Sequence, residues 1–191
     1  MLQLAEIFYS IQGEGTYAGT PAVFVRLAGC NLACSFCDTD YSLKFFASVN
    51  AVVARVRELG GACPMVVLTG GEPLAQKEAS ALIDALRADG RRVHVESNGT
   101  IATDLPRDVW LCVSPKERVD ERMARRADEV KLIVDKRIPT EWLEVFADKA
   151  VLLLQPEGNK PKNIALALAY AKRHPERFRL SVQTHKLIGA P

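Results

Sequence analysis

Long apolar runs are missing from this chain, and no stretch approaches the roughly 18 residues needed to cross a bilayer. The opening MLQLAEIFYSIQGEG also lacks a basic start leading into an apolar core and a cleavage site. Neither a membrane span nor a secretory leader is expected, which makes the chain cytoplasmic by expectation. A charge excess is absent as well: 25 Lys and Arg face 23 Asp and Glu, a formal +2. So small a balance gives no field for nucleic acid or an anionic membrane and points instead to a small-molecule partner. Repeats, low-complexity tracts and linkers are lacking, and 191 residues fit a single domain spanning 1–191. An even set of cysteines is lacking too. There are five, and Cys30, Cys34 and Cys37 fall close together, so metal or redox chemistry is the better expectation than disulfides in a cytosolic chain.

The sequence does contain ample core material, 48% hydrophobic residues with 25% charged ones, as in an ordinary globular protein. From Pro21 onward, short β-branched runs alternate with helical patterns, which predicts repeated βα units and a mainly parallel sheet. Strands are expected at Ala22–Leu27, Met65–Thr69, Arg92–Glu96, Val109–Val113, Glu129–Val134, Ala150–Gln155 and Phe178–Gln183, with an N-terminal edge strand near Leu4–Phe8. Val49, Val52, Val53, Val56 and Leu59 recur at helical spacing between an N-cap at Ser48 and a stop at Gly60. Further helices are expected at Gln76–Asp89, Val119–Ala127, Thr140–Ala147 and Ile164–His174. A full eight-stranded barrel takes about 250 residues. The expected fold class is therefore α/β, a partial, open barrel of mainly parallel strands.

Unusual polar clusters begin where these strands end: Gly29-Cys30 through Asp40, Thr69-Gly70-Gly71-Glu72-Pro73, Glu96-Ser97-Asn98-Gly99, Ser114-Pro115-Lys116, Gln155-Pro156-Glu157-Gly158 and Thr184-His185-Lys186. Ligands of parallel α/β folds bind outside the carboxyl ends of the strands, so all six groups are expected at one mouth. Loop punctuation alone explains about half of such positions. Cys63 and Cys112 have no metal spacing and read as small buried hydrophobes, and His94, between Val93 and Val95, reads as a satisfied strand residue.

Cys30, Cys34 and Cys37 form C-x3-C-x2-C, a spacing at which three thiolates on one loop can converge on a soft metal centre. Three protein ligands on a four-iron cluster leave one iron open, as a catalytic zinc keeps a free position. A structural zinc completed by Asp38, Asp40 or His94, or three buried thiols, fits the same spacing.

The cysteine triad followed by Gly70-Gly71-Glu72-Pro73 after the next strand resembles the radical S-adenosylmethionine superfamily. That resemblance implies a 4Fe-4S cluster on Cys30, Cys34 and Cys37, and S-adenosyl-L-methionine cleaved to a 5'-deoxyadenosyl radical. Cofactor contacts are implied at Phe36, Gly71, Glu96, Ser97, Ser114, Pro115, Lys116, Gln155, Pro156, Glu157 and Gly158.

A narrower resemblance, to the 7-carboxy-7-deazaguanine synthase family, is carried by Ser10-Ile11-Gln12-Gly13-Glu14-Gly15, Phe24 through Cys30, Cys37-Asp38-Thr39, Val113 through Lys116, Leu154-Gln155-Pro156 and Val182 through Lys186. It implies a carbon-nitrogen lyase contracting the ring of 6-carboxy-5,6,7,8-tetrahydropterin, and magnesium at Thr39. It further implies an external electron donor such as flavodoxin or ferredoxin, and a homodimer. Arg26 offers a planar fork to a substrate carboxylate. Ile11, Gln12, Gly13 and Glu14 offer acceptors to the amine and ring N–H groups of a pterin, Thr69 a hydroxyl, and His185 and the Pro191 carboxylate further contacts. A glycyl-radical-activating enzyme and a non-catalytic iron-sulfur or zinc module are the competing readings.

Overall fold

The computed structural model describes residues 1–146 and 150–191, in two compact units. The first comprises Met1–Ile11, Pro21–Ser97 and Thr103–Leu111, and the second Gln12–Thr20, Asn98–Ala102 and Cys112–Pro191.

The first unit contains β1 (Leu2–Ile11), β2 (Pro21–Leu27), β3 (Phe45–Ala47), α1 (Val49–Gly60), β4 (Met65–Gly70), α2 (Ala79–Ala88) and β5 (Arg92–Ser97). Its strands lie in the order β3-β1-β2-β4-β5. β1 runs antiparallel to both β2 and β3, whereas β2, β4 and β5 are parallel. β4 reads Met-Val-Val-Leu and is buried at all four positions, as a strand covered on both faces must be. Ser48 caps α1 by accepting from the Ala51 N–H at 3.2 Å, and Val52, Val53 and Val56 form its buried stripe. The helix runs through Gly60 and closes at Gly61, one residue beyond the expected stop. α2 starts three residues after its expected first residue, Gln76 being instead the extended cap that closes a separate 3-10 turn, Pro73–Ala75, in which Glu72 caps Leu74.

β6 (Trp110–Val113) contributes its last two residues to the second unit, which continues with α3 (Glu121–Arg126), β7 (Glu129–Val134), β8 (Val151–Pro156), α4 (Pro161–Arg173), β9 (Phe178–Leu180) and α5 (Thr184–Ile188). β6, β7, β8 and β9 are neighbours in that order, each pair parallel. Met123, Leu132, Leu154, Ala167 and Phe178 are buried in this unit. α4 starts three residues before its expected first residue because Pro161, whose ring presets the helical φ, occupies its first turn.

The expected α/β class with mainly parallel strands is borne out. Three local expectations were not. The N-terminal strand is ten residues long and is flanked by β3, so it is not an edge. Of the helix expected over Thr140–Ala147, a single 3-10 turn forms at Thr140–Trp142, and Ala147 lies outside the described residues. The last strand stops at Leu180, because Ser181 and Gln183 turn their polar groups into the unit interior and the chain then coils into α5. Among the described residues no helix is long and apolar enough to cross a membrane.

Candidate active site

In the first unit the expected site residues gather after β2, β4 and β5. The loop leaving β2 is pinned by the Gly29 N–H donating to the Tyr41 carbonyl at 2.9 Å, and the Glu72 N–H donates to the Gly29 carbonyl at 3.1 Å. Gly71 therefore lies directly against the start of the cysteine loop. A Cβ there would collide with the Gly29 carbonyl oxygen and the Cys30 Cβ, so no larger residue fits unless backbone moves.

Cys30 and Cys34 are half-buried and Cys37 is exposed. The Cys37 N–H closes a turn on the Cys34 carbonyl at 3.1 Å, and the Leu32 N–H points at Cys30 Sγ at 3.5 Å. All three thiols act on one phenol: negative charge at Cys37 first, then burial, then charge at Cys30 and Cys34 push the Tyr41 hydroxyl above its ordinary pKa. Three thiols on one short loop suit an iron-sulfur centre by the softness of their sulfur donors. Among the described residues no group of three His, Cys, Asp or Glu is already drawn to metal-ligating distance. Asp40 is engaged elsewhere. The Ser42 hydroxyl and N–H, the latter at 2.9 Å, and then Lys44 hold its carboxyl down at about 2, and Lys44 Nζ lies 3.2 Å away. His94 is buried in β5 with its ring 6.1 Å from that of Trp110. Of the three side chains named for completing a structural zinc, Asp40 is thus held by Ser42 and Lys44, and His94 is packed in the strand interior. Cys63 is buried with its thiol donating to the Pro21 carbonyl at 3.3 Å, and Cys112 is buried as well.

Glu72 is wholly buried, and both its oxygens lie 3.1 Å from the Ser97 hydroxyl while one also accepts from the Leu74 N–H at 3.0 Å. Ser97 therefore faces inward to a carboxylate. Glu96, the next residue back on β5, is only partly buried. Arg26 and Thr69 are direct neighbours across the parallel β2–β4 register. The Arg26 side chain is 20% exposed, its Nε donates to Glu6 at 2.6 Å and its guanidinium lies 5.7 Å from the centre of the Phe8 ring. Phe36 is exposed on the cysteine loop, and Thr39, half-buried, has its carbonyl 4.0 Å from Cys37 Sγ. Ile11 is the last residue of β1.

In the second unit Gln12, Gly13 and Glu14 form a tightly tied loop. The Gln12 N–H donates to the Thr20 carbonyl at 2.7 Å, and the Gly19 N–H donates to the Gln12 carbonyl at 2.7 Å. The Gly13 carbonyl accepts from the Thr184 N–H at 2.8 Å, and the His185 ring fills the space where a Gly13 Cβ would stand. Glu14 Oε2 pairs with Lys131 Nζ at 2.6 Å and Oε1 accepts from Gln183 Nε2 at 2.9 Å. Burial alone would raise this carboxyl, but the Lys131 charge and bonds from Lys131, Gln183 and Gln155 outweigh it and bring the pKa to about 2. Ser114 donates to the Lys131 carbonyl at 3.2 Å and accepts from Lys116, whose Nζ also reaches the Ser114 carbonyl at 3.0 Å. Gln155 and Pro156 end β8 buried, while Glu157 pairs with Lys160 at 2.5 Å and Gly158 takes a left-handed φ of 58°. Pro191 is exposed, just past the Ala190 N–H that donates to the His185 carbonyl at 3.0 Å.

The Radical SAM superfamily model matches residues 24–135. The chain is 41% identical over 189 residues to the 7-carboxy-7-deazaguanine synthase of Bacteroides thetaiotaomicron, covering 98% of each chain, and 41% identical to that of Bradyrhizobium diazoefficiens over 96% of each. The chain belongs to the 7-carboxy-7-deazaguanine synthase family. The crystal structure of QueE from Escherichia coli agrees in fold, with a TM-score of 0.85, 29% identity and coverage of 96% of this chain and 94% of that one. Membership in the 7-carboxy-7-deazaguanine synthase family makes the chain a radical SAM enzyme with the α/β fold of that superfamily.

Sequence reasoning singled out the motifs holding Glu72 and Gln183 without giving either a role of its own, and it missed Tyr41, Glu129, Lys131 and Ser181. One signal was available: Glu129 and Lys131 are charges inside Glu129–Val134, a strand otherwise apolar enough for a buried parallel position.

Proposed function

We propose that this chain is a 7-carboxy-7-deazaguanine synthase, converting 6-carboxy-5,6,7,8-tetrahydropterin to 7-carboxy-7-deazaguanine with loss of ammonia in queuosine and 7-deazapurine biosynthesis. The carrying observation is the 41% identity to a synthase of that name over 98% of both chains.

In this reading Cys30, Cys34 and Cys37 hold the 4Fe-4S cluster, and Thr39 provides the protein ligand to magnesium, an ion that prefers oxygen and retains waters. When bound, the cluster and S-adenosyl-L-methionine supply the radical that starts the ring contraction. The chain's own residues bind and orient. Gly71 lets backbone approach the methionine end of the cofactor, with Phe36, Glu96 and Ser97 as further contacts in the first unit, and Ser114, Pro115, Lys116, Gln155, Pro156, Glu157 and Gly158 in the second. Ser97 is more specifically a fixer of Glu72, given the bonds between them.

For the substrate, Arg26 meets the carboxylate with N–H groups of its fork, its Nε being taken by Glu6, and Thr69 sits beside it in register. Ile11, Gln12, Gly13 and Glu14 accept from the amine and ring N–H groups. Glu14 is ionised at every working pH and is therefore an acceptor only. His185 and Pro191 complete the substrate set. An external flavodoxin- or ferredoxin-type donor supplies electrons, and the enzyme works in the cytoplasm as a homodimer.

The test is anaerobic iron-sulfide reconstitution and reduction, followed by S-adenosylmethionine with and without 6-carboxytetrahydropterin. Formation of 7-carboxy-7-deazaguanine and ammonia is expected. Release of 5'-deoxyadenosine without pterin consumption would overturn the reading, and a colourless zinc protein would remove the cluster with it.

A further inference from the structure

Lys131 is a charge inside an apolar strand. Its β7 neighbours Val130 and Leu132 are buried, and its own side chain is 8% exposed. An ammonium in such a place is costly unless it is paired and hydrogen-bonded. The partner is Glu14, itself 15% exposed, with Lys131 Nζ at 2.6 Å from Oε2. The other carboxylate oxygen takes Gln183 Nε2 at 2.9 Å, while Gln183 Oε1 accepts from Lys186 Nζ at 2.9 Å. One end of the Gln183 amide thus faces a carboxylate and the other an ammonium, which fixes its orientation. The same loop is held twice more, by the Gly15 N–H on Ser181 Oγ at 2.9 Å and the Thr16 N–H on Glu129 Oε2 at 2.7 Å.

Stability alone does not call for this arrangement, since apolar residues of equal volume commonly serve as well as a buried ion pair. What an ion pair adds is a carboxylate of fixed direction and fixed protonation. We propose that Lys131 is a positioning residue for substrate binding, holding Glu14 as an acceptor-only group for a heterocycle edge that presents N–H donors. The inference rests on the ring-contracting reading, in which Glu14 belongs to the substrate set.

The reason is electrostatic. Burial is the largest influence on the Glu14 carboxyl and favours its protonated form, and Lys131 is the main opposing charge. Without Lys131 the carboxyl becomes a donor over part of the working pH range and meets the substrate's N–H groups donor to donor. The groups facing this loop are Lys131 and Glu129 on β7, Gln155 on β8, and Gln183, His185 and Lys186 on the C-terminal segment. Of these, only His185 ordinarily titrates near neutrality. A His185→Gln background therefore separates its contribution.

The experiment measures KM and kcat for 6-carboxytetrahydropterin between pH 6 and about 9, with the substrate Kd from equilibrium dialysis, in the reconstituted enzyme and in Lys131→Met, Lys131→Gln and Lys131→Arg. Lys131→Met is expected to raise KM and Kd about tenfold at pH 6 with kcat changed less than about threefold, the penalty shrinking as pH rises and Glu14 ionises. Lys131→Gln repeats the pH step should Lys131→Met not fold. Lys131→Arg restores a flat profile, and Lys131→Met with Glu14→Gln loses the pH step. An unchanged Kd in the charge-removing variants overturns the proposal. So does an equal loss at every pH carried mainly by kcat, which is what a purely structural role gives. Absence of wild-type turnover sinks the ring-contracting reading instead, so the two failures are distinguishable.

Discussion

Gly13 and His185 are in contact at a distance that leaves no room for one more carbon: a Cβ on Gly13 would fall on the imidazole, meeting Nδ1, Cγ and Cβ of His185. The contact is reinforced by the Thr184 N–H on the Gly13 carbonyl, so the loop after β1 and the segment opening α5 form one packed piece. A glycine in that place is needed for close approach, since its φ is not among the positive ones.

Gly13→Ala is expected to push the His185 ring aside and lower kcat/KM about 10- to 100-fold, the scale on which misplacement by about an ångström acts. Adding His185→Ala removes the collision, so the double variant should melt closer to the wild type than Gly13→Ala does. Thermal melting checks this directly. A Gly13→Ala protein that melts and turns over like the wild type would show that the ring yields at no cost.

Gly71 meets backbone rather than a ring. The Cβ introduced by Gly71→Ala would strike the Gly29 carbonyl and Cys30 Cβ, and only displacement of the cysteine loop relieves it. The expected result is lower iron and sulfide content after reconstitution, with 5'-deoxyadenosine released at least about tenfold more slowly. Full iron loading at the wild-type rate would count against this packing.

The polar groups at strand ends were legible because each side of the signal is local: a β-branched run, then Gly, Pro, Cys or a charged residue. β3 was not legible, since Phe45, Phe46 and Ala47 are three mostly exposed residues with no alternation of burial to read. The Glu14 network was illegible for a different reason. Its hydrogen bond to Gln183 joins residues 169 apart and its ion pair to Lys131 joins residues 117 apart. No periodicity reports partners at that range; the one trace in the sequence is Lys131 itself, a charge where a buried strand should be apolar. Arg26 shows the same limit. Its donor fork was readable, but the Glu6 carboxylate that occupies Nε follows from the antiparallel β1–β2 register.

Ser97→Ala is expected to destabilise the fold, because it removes the hydroxyl that donates to Glu72 and leaves a fully buried carboxylate with one donor fewer. The cost should be about 1–3 kcal/mol, seen as a lower urea midpoint with an unchanged slope. Ser97→Thr keeps the hydroxyl and should recover most of the loss. An Ala variant with the wild-type midpoint would mean that Glu72 draws its stabilisation from elsewhere.

Glu14 makes stability depend on acid in a definite direction. Its carboxyl is held at about 2 against an ordinary 4.5, so the native state binds its proton less readily than the unfolded chain. A depressed pKa of this kind contributes stability fully above the unfolded value and loses it as pH falls through the folded one, here the window from about 5 down to about 2. A shift of this size is worth on the order of 3 kcal/mol, one pKa unit being about 1.4 kcal/mol. Glu14→Gln cannot titrate, so its urea midpoint should fall less between pH 5 and 2.5 than the wild type's, although it is lower at pH 7 because Lys131 is left buried without its counter-charge. Parallel acid profiles for the two proteins would show that the Lys131 ion pair does not hold Glu14 ionised in the folded chain.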